Sequence, residues 1–519
     1  MATGCNYFDP FFPVSHEVSS EEPISIPPAS IDGEGDKDKQ TLNYTMKDYV
    51  DNCIYNMSVT PTLGSPKLLV VPILLNDSTT YYPQLDTTEG KAQAKEAIRK
   101  AVFGTESETG WHSVKSYYYE ESRGVCNIEG SVHDWYTTSY RYEQITDTNI
   151  ISNIIEAAVN NWKSSHSSEI KSYDTDGDGY LDGVIAIYGA PDYSITESNN
   201  KMMWAFTSWT NQGKSTASPN VKNYIWGALS FLETDTTYCN IDAHTLIHET
   251  GHLFGLDDYY DYNDTSRIAN YNWAGGFSMQ DYNVGGHDPF SALAFGWAKP
   301  YVPTETCTIE LHPFATTGDV IMLTPEYTAS PFDEYLLIEY YTPTGLNAFD
   351  TYHAYAGKYP SGVTNNGIRL WHVDARLAQI NNMYAKQNDY YTDYTLTSNI
   401  ILGKRYVVGA TNTHYDPRGE NNSYTSKIQE LLNYRLLDLI RRNDYSGSNR
   451  GTLLKNAHLF KAGDSFDIAN YANSRYFTNT SGSYFNQKVY LNSGKGLGWK
   501  ISFSTMNNEK AVINLTKTA

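Results

Sequence analysis

Apolar runs frame the first three hundred residues. Lys67 to Leu75 (KLLVVPILL) is continuously apolar and short, the pattern of a strand buried on both faces. Thr88 to Phe103 mixes Ala with Lys and Glu and predicts a helix. Gly110 to Glu121 predicts a second helix, Val125 to Trp135 an extended pair, and Ile150 to Trp162 an amphipathic helix. Val184 to Tyr188 (VIAIY) and Tyr224 to Phe231 (YIWGALSF) read as strands. Ile241 to Ile247 is mostly apolar and free of Gly and Pro, which predicts a buried helix.

From Tyr301 the period changes to two. Thr306–Leu311, Val320–Thr324, Tyr335–Tyr341, Ile368–Val373 and Val489–Leu491 predict strands with turn residues between them. Residues 381–455 are polar and rich in Tyr and Asn, with one helical run from Ser426 to Arg442, and read as an insertion. Residues 6–40 are rich in Pro, Ser, Glu, Asp and Gly and read as flexible. The expected organisation is an N-terminal tether or pro-segment over 1–62, an α/β (α+β) domain with a mixed sheet over 63–300, and a β-rich C-terminal domain over 301–519.

Composition narrows the class. A 519-residue chain that is 40% hydrophobic can bury two or three cores. Its formal charge of −21 repels nucleic acid and anionic membrane, so neither is an expected partner. No run of 18 apolar residues occurs, and no transmembrane helix is predicted. The five Cys include no C-x-x-C pair, which speaks against a cysteine zinc site, and two disulfides at most could form. The opening Met1-Ala2-Thr3-Gly4-Cys5 is not a signal peptide, but Ala-Thr-Gly-Cys is similar to the end of a bacterial lipoprotein signal, making Cys5 a candidate lipid anchor.

The chemistry concentrates at His248-Glu249-Thr250-Gly251-His252-Leu253-Phe254-Gly255-Leu256-Asp257-Asp258, which reads H-E-x-x-H-x-x-G-x-x-D. On a helix, residues four apart share a face, so His248 and His252 can offer two imidazoles to one zinc ion while Glu249 serves as general base. With 13 His in the chain, a chance H-E-x-x-H arises in on the order of 1 in 100 such sequences, and the added Gly and Asp lower that figure. Gly255 is suited to end the helix, because Gly accepts the left-handed conformation of a C-terminal cap. The chain can then turn back and present Asp258 as third ligand, with Asp257 and Asp261 as alternatives or as parts of a second calcium site. Metzincin zinc peptidases carry a Met-containing turn beneath the metal, and Met279 in Gly275-Gly276-Phe277-Ser278-Met279-Gln280-Asp281-Tyr282 is the candidate. Tyr282 is a candidate for stabilising the oxyanion, at a spacing one residue off the commonest metzincin pattern.

The metal motif with Asp in third position, followed by SMQDYN and HDPFSALAFGW, resembles the immune-inhibitor-A type of bacterial metalloproteases. SVKSYYYEES, EYLLIEYY, GIRLWHVDARL and FKAGDSF are also similar to that family, so the resemblance spans roughly 65–515 and is weakest near 380–455. It implies a secreted or surface-tethered zinc endopeptidase with a zincin-like catalytic domain, acting on protein or peptide substrates as a monomer. By analogy with metzincins, Tyr224–Phe231 would be the strand beside the cleft, aligning substrate by strand addition. His287 would either line the specificity pocket or pack structurally.

A second motif, Asp174-Thr175-Asp176-Gly177-Asp178-Gly179-Tyr180-Leu181-Asp182-Gly183, has the oxygen spacing of a calcium loop. The expected ligands are Asp174, Asp176, Asp178, the Tyr180 carbonyl and Asp182. Ile185 stands where an EF-hand carries Glu, and a strand follows where that motif has a helix, so this is a shorter structural loop. The expected function is zinc-dependent hydrolysis of peptide bonds in extracellular proteins. The alternative is a catalytically silent surface binding or adhesion protein that retains a metalloprotease fold.

Overall fold

The computed structural model describes residues 39–55, 57–233, 239–261, 272–354, 359–381, 386–387, 390–391, 393–412, 434–479 and 489–518. The chain is mixed α/β, with several sheets and a β-rich C-terminal region. It divides into two compact units, the first comprising 57–120 and 124–253, the second 39–55, 121–123 and the described residues from 254 onward. This division falls after Leu253. Among the described residues, no helix is long and apolar enough to cross a membrane.

The first unit is built on a six-stranded sheet. Its strands are β1 (Lys67–Leu74), β2 (Glu129–Val132), β3 (Tyr136–Thr137), β4 (Gly183–Tyr188), β5 (Phe206–Trp209) and β6 (Asn223–Ala228). The order is β2-β1-β4-β6-β5, with β3 beside β1 beyond β2. The β1, β2, β3, β4 and β6 pairings are parallel, and β5 runs antiparallel to β6 at the edge. Strands β4 and β6 are buried throughout, as expected of parallel strands covered on both faces. One face, including Leu69, Val71, Val184, Ala186, Tyr224 and Trp226, packs against Ile151, Ile154, Ile155, Ala158, Val159 and Trp162 of the helix Thr148–Ser165. That helix starts where the Asp147 carboxylate accepts from the Asn149 and Ile150 main-chain N–H groups. The helix His244–Leu253 lies against β6 and β5. Gly183 gives close passage there, since a Cβ on it would come 3.0 Å from Thr60 Oγ1 and 3.2 Å from Leu253 Cδ1.

In the second unit, strands Leu437–Ile440, Gly367–Asp374, Glu334–Tyr341 and Val320–Leu323 form one antiparallel sheet in that order. Strands Ser465–Asp467, Trp499–Met506, Ala511–Lys517 and Cys307–Leu311 form another. Their apolar faces share one core, which includes Ile338, Leu370, Ile440, Trp499, Ile501, Ile513 and Leu515.

Several expectations are revised. Part of the stretch read as a tether is ordered. Residues 46–51 form a helix that buries Met46, Tyr49 and Val50, and Gln40 N–H donates to the Pro300 carbonyl at 2.9 Å. Three apolar residues at helical spacing suffice there, although the surrounding composition is polar. The helical run expected over Ser426–Arg442 lies outside the described residues up to 433, and its described part contains the strand Leu437–Ile440, paired with Leu370–Val373. Cross-strand burial overrides helix propensity in that segment. Cys53 and Cys307 are free thiols. Cys5 lies outside the described residues.

Candidate metal centre

The helix His244–Leu253 is fixed at both ends. The Asp242 Oδ1 accepts from the His244 main-chain N–H at 3.0 Å and meets its Nδ1 at 2.9 Å, satisfying a donor at the helix N-terminus. At the other end, the Leu253 carbonyl accepts from Thr60 N–H at 2.9 Å. Gly255 then adopts φ +102°, as a helix-ending glycine does. Within the helix, Tyr118 donates its hydroxyl to the Ile247 carbonyl at 2.8 Å.

The i, i+4 spacing puts the imidazoles of His248 and His252 together. Their Nε2 atoms are 3.1 Å apart, with the rings nearly perpendicular at 86°. Asp258, the expected third ligand, belongs to the second unit. In four-coordinate zinc with bonds of about 2.0–2.1 Å, ligand atoms sit roughly 3.3 Å apart, so the two nitrogens are already near that separation. Two imidazoles and one carboxylate are also a donor set found at catalytic zinc, with a fourth position left open. The imidazole pair on the helix therefore fits zinc. The alternatives have other partners: Asp257 Oδ2 accepts from the Thr411 hydroxyl at 3.4 Å, and Asp261 Oδ2 from Trp273 Nε1 at 3.2 Å.

Glu249 is buried, with its side chain beside Thr207 of β5. The Thr207 hydroxyl lies 3.1 Å from Glu249 Oε2 and 2.9 Å from its main-chain oxygen. Nothing in the sequence marked Thr207, because it is an ordinary residue in a short polar strand. The same strand corrects the cleft expectation. β6, taken from its apolar run as the strand beside the cleft, lies between β4 and β5, and the antiparallel edge is β5. The Phe206–Trp209 segment is too short and polar to announce itself by period.

The segment after Asp258 is tied to the Met279 turn. Tyr259 N–H donates to the Gln280 carbonyl at 2.8 Å, and Met279, wholly buried, donates its N–H to Gly286 at 3.2 Å. Asp281 accepts the Gly276 N–H at 2.7 Å, while burial, with the Asp258 charge adding to it, pushes its carboxyl up to about 7. Tyr282 is buried, stacks on Tyr260 at 5.8 Å and stands at a tilt to Tyr359. His287 packs edge-on against Phe295 and Trp297.

In the aspartate loop, oxygens of Asp174, Asp176 and Asp182 come within 4.8 Å of one another. Asp174 Oδ1 is buried and has no hydrogen-bond partner among the described residues. Burial and the neighbouring Asp178 and Asp176 carboxylates raise Asp174 above the ordinary carboxylate range. An orphaned buried oxygen among acids fits a hard cation such as calcium. Asp178 is not in the group. Its Oδ1 accepts the Tyr180 N–H at 2.8 Å and its Oδ2 the Ser58 hydroxyl at 3.2 Å. Asp182 likewise accepts from Thr175 N–H and Lys67 N–H, at 2.8 and 2.7 Å.

No protein-family model matches this chain, and no curated protein matches it.

Proposed function

We propose that the chain is a zinc-dependent endopeptidase with a zincin-like catalytic unit, secreted or held at the cell surface. The observation that carries this reading is the pairing of the His248 and His252 Nε2 atoms at 3.1 Å on one helix that also bears the buried Glu249 carboxylate. Zinc bound there would supply a lowered pKa for water and polarisation of the scissile carbonyl. The protein's own groups do the rest. Both imidazoles are held on one helical face, so neither must be ordered when metal binds. The Glu249 carboxylate takes a proton from the attacking water and returns it to the leaving amine nitrogen. Thr207 orients that carboxylate. The free edge of β5 can accept an extended substrate segment by main-chain hydrogen bonding, which favours unfolded or loop peptides. Calcium in the aspartate loop would be structural, because that loop leads directly into β4.

The test combines metal analysis with hydrolysis of unfolded casein. The expected wild type holds zinc and cleaves, and chelation abolishes cleavage. Glu249→Gln should keep zinc and lose roughly 10²–10⁴-fold in turnover. Zinc retained by wild type without cleavage of casein or a peptide library would instead favour the binding-protein reading, and a folded chain that holds no zinc would sink both.

A further inference from the structure

A second cluster of metal-ligating side chains lies in the first unit, away from the H-E-x-x-H motif in sequence. The short helical turn Glu106–Thr109 ends at Gly110, whose φ of +86° reverses the chain. His112 follows, and Glu120 sits in the last turn of the helix Val114–Glu121. One nitrogen of His112 and one oxygen each of Glu106 and Glu120 lie within 4.8 Å of one another. We propose that Glu106, His112 and Glu120 form a second zinc site, open to water on the Glu106 side, that braces the helix carrying His248 and His252.

The geometry favours an ion over an ion pair. His112 is only 7% exposed, with its ring set edge-on to Trp111 and Tyr117. Its Nδ1 is 3.2 Å from the Ser116 hydroxyl, whose oxygen also accepts the Ser113 N–H at 3.0 Å. With Nδ1 protonated and donating to Ser116, the Nε2 lone pair is left for a metal, the arrangement in which a ligating histidine is oriented through its other nitrogen. Nε2 has no hydrogen bond among the described residues, and Glu120 Oε2 stands 3.6 Å from it. Glu106 Oε1 is 3.8 Å from Nδ1. The Nε2–Glu120 separation exceeds a hydrogen bond but is within a few tenths of an ångström of the roughly 3.3 Å between ligand atoms on a zinc ion.

Glu106 and Glu120 set two carboxylates beside one imidazole, a charge that a divalent cation offsets. One nitrogen and two carboxylates suit zinc better than calcium, which takes six to eight oxygens.

The site is joined to the helix His244–Leu253. Trp111, adjacent to His112, stacks on His244 at 3.9 Å with the planes 12° apart. Tyr118, on the helix that bears Glu120, reaches the Ile247 carbonyl. The Thr109 carbonyl accepts from the N–H groups of Asn240 and Ile241, at 2.6 and 3.1 Å, on the approach to that helix.

The proposal does not rest on the peptidase reading and is tested without an activity assay. The full chain carrying His248→Ala and His252→Ala is stripped with chelator, then dialysed against zinc with calcium in excess to fill the aspartate loop. Metal is counted by mass spectrometry, and folding is checked by circular dichroism. We expect one zinc per chain to remain and to be lost on adding His112→Ala. Glu106→Gln, at an exposed position, should weaken zinc binding at least tenfold while leaving the fold unchanged, and it decides the matter should His112→Ala unfold the chain. Absence of zinc from the folded His248→Ala/His252→Ala chain would overturn the proposal, as would equal zinc binding after Glu106→Gln.

Discussion

Thr207→Val isolates one hydroxyl. Val keeps the shape of the side chain and its β-branched fit to the strand, so β5 should stay paired with β6. The substitution removes the donor 3.1 Å from Glu249 Oε2 and 2.9 Å from the Glu249 main-chain oxygen. A hydrogen bond to a charged group contributes about 1.5–3 kcal/mol. The hydroxyl has one proton to divide between two acceptors, so the share that orients the carboxylate is taken as about 1–2 kcal/mol. At about 1.4 kcal/mol per tenfold in rate, the expected loss in kcat is roughly 5- to 30-fold. The assay is kcat and KM on a fluorogenic peptide, with zinc content measured on the same preparation. The loss should fall on kcat, because the hydroxyl holds the base and not the substrate, and zinc content should match wild type. Turnover within twofold of wild type would refute a positioning role for Thr207. A loss of activity in proportion to a loss of zinc would refute the separation drawn here between base and metal ligands.

Two further outcomes test other parts of the structure. Calcium at about 100 times its Kd should stabilise the wild-type chain by about 2.7 kcal/mol; Asp174→Asn should abolish most of that gain in a thermal melt, and an equal calcium response in both chains would remove Asp174 from the site. In the second unit, burial disfavours the His372 cation, but the Glu334 carboxylate at 2.8 Å outweighs it and raises the imidazole above its ordinary value of 6.5. Glu334 is lowered from 4.5 despite its burial, with His372 the largest favourable partner. The Glu334 share of stability is therefore present above its unfolded pKa and lost as pH falls, while the His372 share is present below the unfolded histidine value and lost as pH rises through the raised one. Wild-type stability, read as Tm, should decline on both sides of that window, and Glu334→Gln should lower the unfolding free energy at its maximum by about 1–3 kcal/mol and flatten both limbs. A Tm profile with unchanged curvature would show that the pair does not titrate with folding.

What the sequence made legible follows from how far apart the cooperating residues stand. The helix Thr88–Phe103 and the strand Lys67–Leu74 were readable because period and apolar run are local properties. The His248/His252 pair was readable for the same reason, since one helical turn fixes the spacing of two ligands. Asp258 needed a chain reversal, which Gly255 announced. Thr207 left no trace, because its partner is 42 residues away and hydroxyl residues are common in strands. The edge strand was misplaced because β6 has the apolar run that marks a buried strand, whereas the exposed edge is where such a run is absent.

The aspartate loop shows the limit of spacing as an argument. Alternating acids fix the order in which oxygens occur along the chain but not which backbone N–H groups will compete for them. Here glycines at Gly177 and Gly179 adopt φ of +71° and +89°, and the tight turn that results aims main-chain donors back into the loop. The donor of Tyr180 takes Asp178, that of Asp178 takes Asp176, that of Gly179 takes Asp174 Oδ2, and those of Thr175 and Lys67 take Asp182, so each of the four acids is held at one oxygen by the protein itself. Asp174 Oδ1 is left buried without such a donor. Carboxylate oxygens already satisfied by N–H groups hold the loop's shape in the absence of metal, while the unsatisfied one supplies the preference for a cation. The loop should therefore stay folded but weakened on calcium removal, rather than unfold with it as a zinc finger does when stripped of its metal.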